Sequence, residues 1–94
     1  MSVIFLAVDT LTNVDLFREY QAAVGPILAK TGYELIAYDE AARPLEGTPG
    51  GHRVVMIRFP SEEAFRAFYD SEEYQTIIGK RLDATDGFAL LLNG

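Results

Sequence analysis

The sequence predicts an α+β fold, a four-stranded antiparallel sheet with helices on one face. Three observations lead there. Short apolar runs alternate with amphipathic stretches in the order β-α-β-β-α-β. The amphipathic stretches repeat their apolar residues at helical spacing. Three of the apolar runs lack the alternation of a half-wet strand, so the sheet needs cover on both faces. At 94 residues the chain has room for one domain, spanning 1–94, and not for two.

Val3 to Val8 reads as the first strand and Asp9 to Asn13 as the turn after it. Thr12-Asn13-Val14-Asp15 has the form of a capping box with a shortened acid. Val14, Phe17, Gln21, Val24 and Leu28 then follow one helical stripe, with Leu16, Tyr20, Ala23 and Ile27 beside it. Pro26 lacks an N–H and crowds Ala22, so a kink is expected there, and Gly32 lies just past the helix. Tyr33 to Tyr38 is the second strand. The loop from Asp39 to Gly51, rich in Gly and Pro, is long enough to be functional or mobile.

His52 to Phe59 is the third strand. Ser61 caps the next helix, with Glu62 and Glu63 at its positive end and Ala64, Phe65, Phe68 and Tyr69 on its apolar face. Asp70-Ser71 breaks that helix, and Ser71 restarts it toward Tyr74, Ile77 and Ile78. Gly79 to Gly87 reads as a connection and Phe88 to Leu92 as the last strand. This is the order of a ferredoxin-like split unit.

Val3–Val8, Val54–Ile57 and Phe88–Leu92 are apolar at every position. Helices cover one face, so the other is expected to pair with a second copy, giving a homodimer of the dimeric α+β barrel type. A standard interface buries about 800 Å² per partner, and at roughly 25 cal/mol per Å² that is a gross term of tens of kcal/mol.

The net charge of −6, with basic residues scattered along the chain, argues against nucleic acid and against an anionic membrane surface. No apolar run is long enough to span a membrane. The first residues read as a strand rather than a signal peptide, so a cytoplasmic location is expected. There is no cysteine and a single histidine, His52, which leaves no thiolate or His-rich metal site. No P-loop, dinucleotide fingerprint or nucleophile elbow is present, and no cofactor is expected.

Leu45-Glu46-Gly47, the run Arg53-Val54-Val55-Met56-Ile57-Arg58-Phe59-Pro60-Ser61 and the run Phe68-Tyr69-Asp70-Ser71-Glu72-Glu73-Tyr74-Gln75 together resemble the domain-of-unknown-function family numbered 1330. Arg81 matches an arginine near that family's end, and Tyr20 and Pro26 fit its first helix. The sequence departs from the family at Thr31-Gly32-Tyr33 and Tyr38-Asp39-Glu40-Ala41, where paired glycines are usual, and at Arg58, where the family is acidic. The resemblance implies a dimeric α+β barrel and no particular activity.

His52 and Arg53 open the third strand and point to opposite faces. Either is a candidate for a cleft between sheet and helices, His52 as proton carrier or Arg53 as carboxylate clamp; the plainer reading is a solvent-edge pair. Arg58 shares a face with His52, Val54 and Met56, and reads as half of an ion pair or an anion anchor. Glu46 is a candidate base or a loop organiser. Tyr20, Tyr38, Tyr69 and Tyr74 suit either the wall of a small-molecule pocket or the rim of a core.

Two functions follow for such a domain. One is a cofactor-independent enzyme on a small hydrophobic or phenolic metabolite, by analogy with other barrels of this kind. The alternative is a non-catalytic module that binds a small anion or metabolite. An oligomer-forming protein with no ligand site is the plainest reading.

Overall fold

The computed structural model describes residues 1–94. Its elements are β1 (Val3–Leu11), α1 (Val14–Leu28), β2 (Glu34–Asp39), β3 (Arg53–Phe59), α2 (Glu62–Tyr69), α3 (Glu72–Ala84) and β4 (Thr85–Asn93). The strands form one antiparallel sheet in the order β2-β3-β1-β4. This is the ferredoxin-like α+β arrangement.

Boundaries differ from the sequence reading most at the ends of β1 and α3, and β4 opens at Thr85 rather than Phe88. The first strand runs on through Asp9 to Leu11, because both neighbours keep pairing with it: Asp9 faces Arg53 on β3 and Gly87 on β4. Asn13, not Thr12, then caps α1, its side chain accepting from the Leu16 N–H at 3.0 Å. Likewise α3 does not stop at Gly79. An added Cβ there would meet nothing within 4 Å, so the glycine sits on an open side of the helix and costs only about 1 kcal/mol relative to Ala. The buried stripe meanwhile continues through Arg81 to Ala84. The Ala84 carbonyl accepts from the Thr12 and Asn13 N–H groups at 2.8 and 3.3 Å, tying the end of α3 to the end of β1.

The core lies between the sheet and the helices. Val3 and Phe59 from the two central strands meet Phe17, Tyr20 and Val24 of α1, Phe65 and Phe68 of α2, and Tyr74 and Ala84 of α3. The break between α2 and α3 shapes this core. In one straight helix Phe68 and Tyr74 would diverge by about 120° around the axis; the interruption brings their rings to 4.4 Å between centroids. Ser71 holds the joint, donating its hydroxyl to the Phe68 carbonyl at 2.7 Å and accepting from the Tyr74 N–H at 3.1 Å. Gln75 satisfies the Tyr69 carbonyl at 2.7 Å.

The molecule is a slab of 33 × 30 × 16 Å with helices on one side of the sheet. The other side carries Ile4, Leu6 and Val8 from β1, Val54, Met56 and Arg58 from β3, and Phe88, Leu90 and Leu92 from β4. Arg58 is the one charged residue among these; it pairs at 3.1 Å with Glu34, which faces it from β2, and Asp39 of β2 faces Val54 on the same side. Phe88 and Leu90 are each 49 % exposed, so the apolar open face that the strand pattern predicts is present. No helix is long and apolar enough to cross a membrane.

Candidate functional site

The inward positions of β1 are Val3, Phe5, Ala7 and Asp9, facing Phe59, Ile57, Val55 and Arg53 of β3. Both rows are apolar until their last members. Asp9 and Arg53 are thus set opposite each other under the helices, with side chains only 4 % and 8 % exposed. Arg53 donates from Nη1 to Asp9 Oδ2 at 3.3 Å and lies 3.2 Å from Oδ1. Its guanidinium stacks over the rings of Phe17 and Tyr38, at 4.3 and 5.4 Å from their centroids.

Glycines make this depth reachable. A Cβ on Gly87 would stand 2.6 Å from Asp9 Cα, and one on Gly51 would stand 2.7 Å from the Thr10 nitrogen. Neither position tolerates a side chain without moving the backbone that carries Asp9.

The helices bring the remaining groups. Tyr20 of α1 and Tyr74 of α3 share a hydrogen bond of 2.9 Å between their hydroxyls. Arg81, on the same stripe of α3 as Tyr74, is 9 % exposed and lies over the Phe5 ring at 5.9 Å. Arg81 forms no ion pair. Three buried atoms of this cluster have no hydrogen-bond partner: Asp9 Oδ1, Arg53 Nε and Arg81 Nε. Such orphans are rare in a packed interior.

The electrostatics follow from burial. Desolvation pushes the Asp9 carboxyl above its ordinary value, and the charges of Arg53 and Arg81 only partly hold it down. Desolvation also pushes the Tyr20 hydroxyl far up, helped by Tyr74 and opposed by Arg81 and Arg53. For Arg81 burial works against the charge, but the Tyr74 and Tyr20 hydroxyls outweigh it and raise the pKa, so the guanidinium stays charged. With the tyrosines neutral, the buried set of Asp9, Arg53 and Arg81 holds one surplus positive charge.

Two clefts reach Asp9. One of about 380 Å³ lies between α3 and β4, lined by Asp9, Tyr69, Arg81, Leu82, Ala89 and the run from Thr85 to Phe88, which includes the acidic Asp86. A smaller one of about 200 Å³ enters from the β3 side past Glu40, His52 and Arg53.

Of the residues singled out from sequence, Arg53, Tyr20, Tyr74, Tyr69 and Tyr38 gather around this cluster. His52 stands at its mouth, exposed, its Nδ1 donating to the Ala42 carbonyl at 3.2 Å and so closing the base of the long loop. Glu46 is exposed on that loop, in a separate hollow against Val8 and Val54 of the open face. Arg58 lies on the opposite side of the sheet in its pair with Glu34. Asp9 was not among the candidates because an aspartate after an apolar run reads as a turn; the sign of its role is that it continues the inward alternation of β1. Arg81 stands at helical spacing from Tyr74 and Ile77, a charge on an apolar stripe. No group of acidic and histidine side chains is placed to hold a metal ion.

A family model described as Domain of unknown function (DUF1330) matches residues 3–94. The chain belongs to this family. Among curated proteins none matches the sequence significantly. Solved structures share the fold of this DUF1330 chain. RPA0582, a protein of unknown function from Rhodopseudomonas palustris, superposes with a TM-score of 0.79 at 16 % identity, over 97 % of this chain and 78 % of that one. SnoaB from Streptomyces nogalater, described as a cofactor-independent oxygenase, gives 0.68 at 13 % identity, over 99 % and 92 %. A dimeric ferredoxin-like protein of unknown function from Thermobifida fusca gives 0.58 at 15 % identity, over 98 % and 88 %. At these identities the likeness establishes the fold alone.

Proposed function

We propose that this DUF1330 chain is a cytoplasmic, homodimeric, cofactor-independent enzyme acting on a small hydrophobic or phenolic metabolite, with Asp9 as the base. The observation that carries the reading is the buried Asp9 carboxylate, both oxygens against Arg53 Nη1, on the wall of a cleft large enough for a small molecule. Burial raises its affinity for a proton, which brings a carboxylate nearer the range useful for general-base chemistry. Arg53 fixes the orientation of that carboxylate and Tyr69 walls the approach. In the proposed step Asp9 takes a proton from an acidic O–H or C–H of the substrate. The fold supports this by analogy only, through the neighbour described as a cofactor-independent oxygenase. The dimer is supported by the uncovered apolar face and by the neighbour described as dimeric.

The test is cofactor-free deuterium exchange from heavy water into the acidic carbon positions of hydroxyaryl ketones and naphthols, followed by proton NMR. The wild-type chain should exchange at least about 100-fold faster than Asp9→Asn, the usual lower size of a general-base contribution. Exchange no faster than in buffer across that panel refutes the catalytic reading. Native mass spectrometry of the same sample should give twice the chain mass.

A further inference from the structure

Arg81 is the group that the proton transfer above does not use. It is a buried guanidinium in a chain with an excess of acidic residues, yet no carboxylate pairs with it. Asp9, the acid nearest in the cluster, is already taken by Arg53. The Tyr20 and Tyr74 hydroxyls are bonded to each other. Arg81 Nε is left without any acceptor. Its support comes from the Tyr74 hydroxyl and from Asp9, a counter-charge shared with Arg53. A buried charge that is only partly compensated is an unfavourable arrangement that a ligand relieves.

We propose that the cleft between α3 and β4 takes a small hydrophobic carboxylic acid, its carboxylate held by Arg81. The inference rests on the site described under Proposed function and names the class of its substrate. A guanidinium presents a planar fork of N–H donors that matches a carboxylate with two parallel bonds. One surplus positive charge in the buried set favours a monoanion over a phosphate dianion, and the acidic Asp86 on the cleft wall weighs further against the dianion. Tyr69, Leu82 and Ala89 supply an apolar wall for the body of the acid. Its volume of about 380 Å³ lies at the small end of ligand pockets, the size of an aryl acid rather than a long chain. Arg53 neutralises Asp9, so the base does not repel the incoming anion. The surface as a whole, at a net charge of −6, attracts no anion in bulk, so binding would come from this local well.

The probes are benzoate and its neutral isostere benzamide, titrated into the full chain labelled with nitrogen-15. Heteronuclear spectra report the Arg81 Nε–H and the amides of Gly87, Phe88 and Ala89. Benzoate is expected to shift the Nε–H and the three amides together, with at least tenfold tighter binding than benzamide. Arg81→Met should lose that preference while Arg66→Gln, the removal of an exposed arginine, keeps it. Equal binding of the two probes overturns the inference, as does benzoate that moves the amides and leaves the Arg81 Nε–H in place, or no binding of either. If Arg81→Met does not fold, the wild-type spectra decide alone. The two readings fail separately: equal binding of benzamide leaves the deuterium exchange standing, and absent exchange leaves an anion site standing.

Discussion

The hydroxyl pair between α1 and α3 gives a stability signal of definite sign and size. Tyr20 is 9 % exposed and bonded to the Tyr74 hydroxyl at 2.9 Å. Burial first, and Tyr74 second, hold its pKa far above the ordinary value. In the unfolded chain the same group ionises near pH ~10. Above that pH the folded state keeps a proton that the unfolded state has lost, so stability falls as pH rises. The contribution is complete below about pH 10 and drains at about 1.4 kcal/mol per pH unit above it. Integrated from pH 8 to 11, the loss is about 1.4 kcal/mol. Replacing Tyr20 by Phe removes the titrating group and leaves the Tyr74 hydroxyl unpaired, at about 1–2 kcal/mol. Urea unfolding followed by far-ultraviolet circular dichroism, on wild type and Tyr20→Phe at pH 8 and pH 11, reads the difference. The variant should be the weaker protein at pH 8 and nearly equal to wild type at pH 11. A gap of the same size at both values refutes the argument, since it means that Tyr20 titrates in the fold as it does in the open chain.

Three more outcomes follow from the neighbourhood of Asp9 and from α1. Gly87→Ala forces a Cβ against the Asp9 backbone and should cost about 3 kcal/mol, roughly 10–20 °C in Tm by calorimetry. Gly25→Ala inside α1, where an added Cβ meets nothing, should instead gain up to about 1 kcal/mol. Asp9 has a raised folded-state pKa, so its contribution is greatest below the unfolded value near ~3.9 and declines as pH rises toward the folded one. Denaturant melts should therefore show wild type gaining on Asp9→Asn between pH 7 and pH 4, and a constant difference would contradict the raised value.

The serine caps show what was legible in the sequence. Ser61 and Ser71 each precede a pair of glutamates, and both cap their helices, accepting from the Ala64 and Tyr74 N–H groups at 3.0 and 3.1 Å. Local chemistry of that kind acts within a few residues and can be read along the chain. The apolar strands were readable too, because their pattern reports an apolar surface on both sides of the sheet. The site was less so. Alternation puts His52 and Arg53 on opposite faces without saying which turns inward; the partner of Arg53 lies 44 positions away in the chain, and pairing register, not composition, brings Asp9 opposite it. Turn preference argued for ending β1 at Val8, and the ladders on both sides overrode it. Gly79 likewise suggested a helix end, and the packing of Arg81 and Ala84 beyond it prevailed. Where Glu46 and His52 would fall depended on the course of a long loop that no local rule fixes.

The broken helix has an optical consequence. The chain has no tryptophan, so five tyrosines and six phenylalanines supply all of its near-ultraviolet signal. The break sets Tyr69 and Tyr74 at 5.4 Å between centroids, with Phe68 against Tyr74 and Tyr20 joined to it through the hydroxyl. Aromatic groups held so close in a chiral frame give a near-ultraviolet dichroism that exists only while the packing is fixed. Tyr69 and Tyr74 also sit beside Arg81. The protein thus contains its own dye beside Arg81, with Tyr69 on the cleft wall, and an anion arriving there would announce itself in that band without any label.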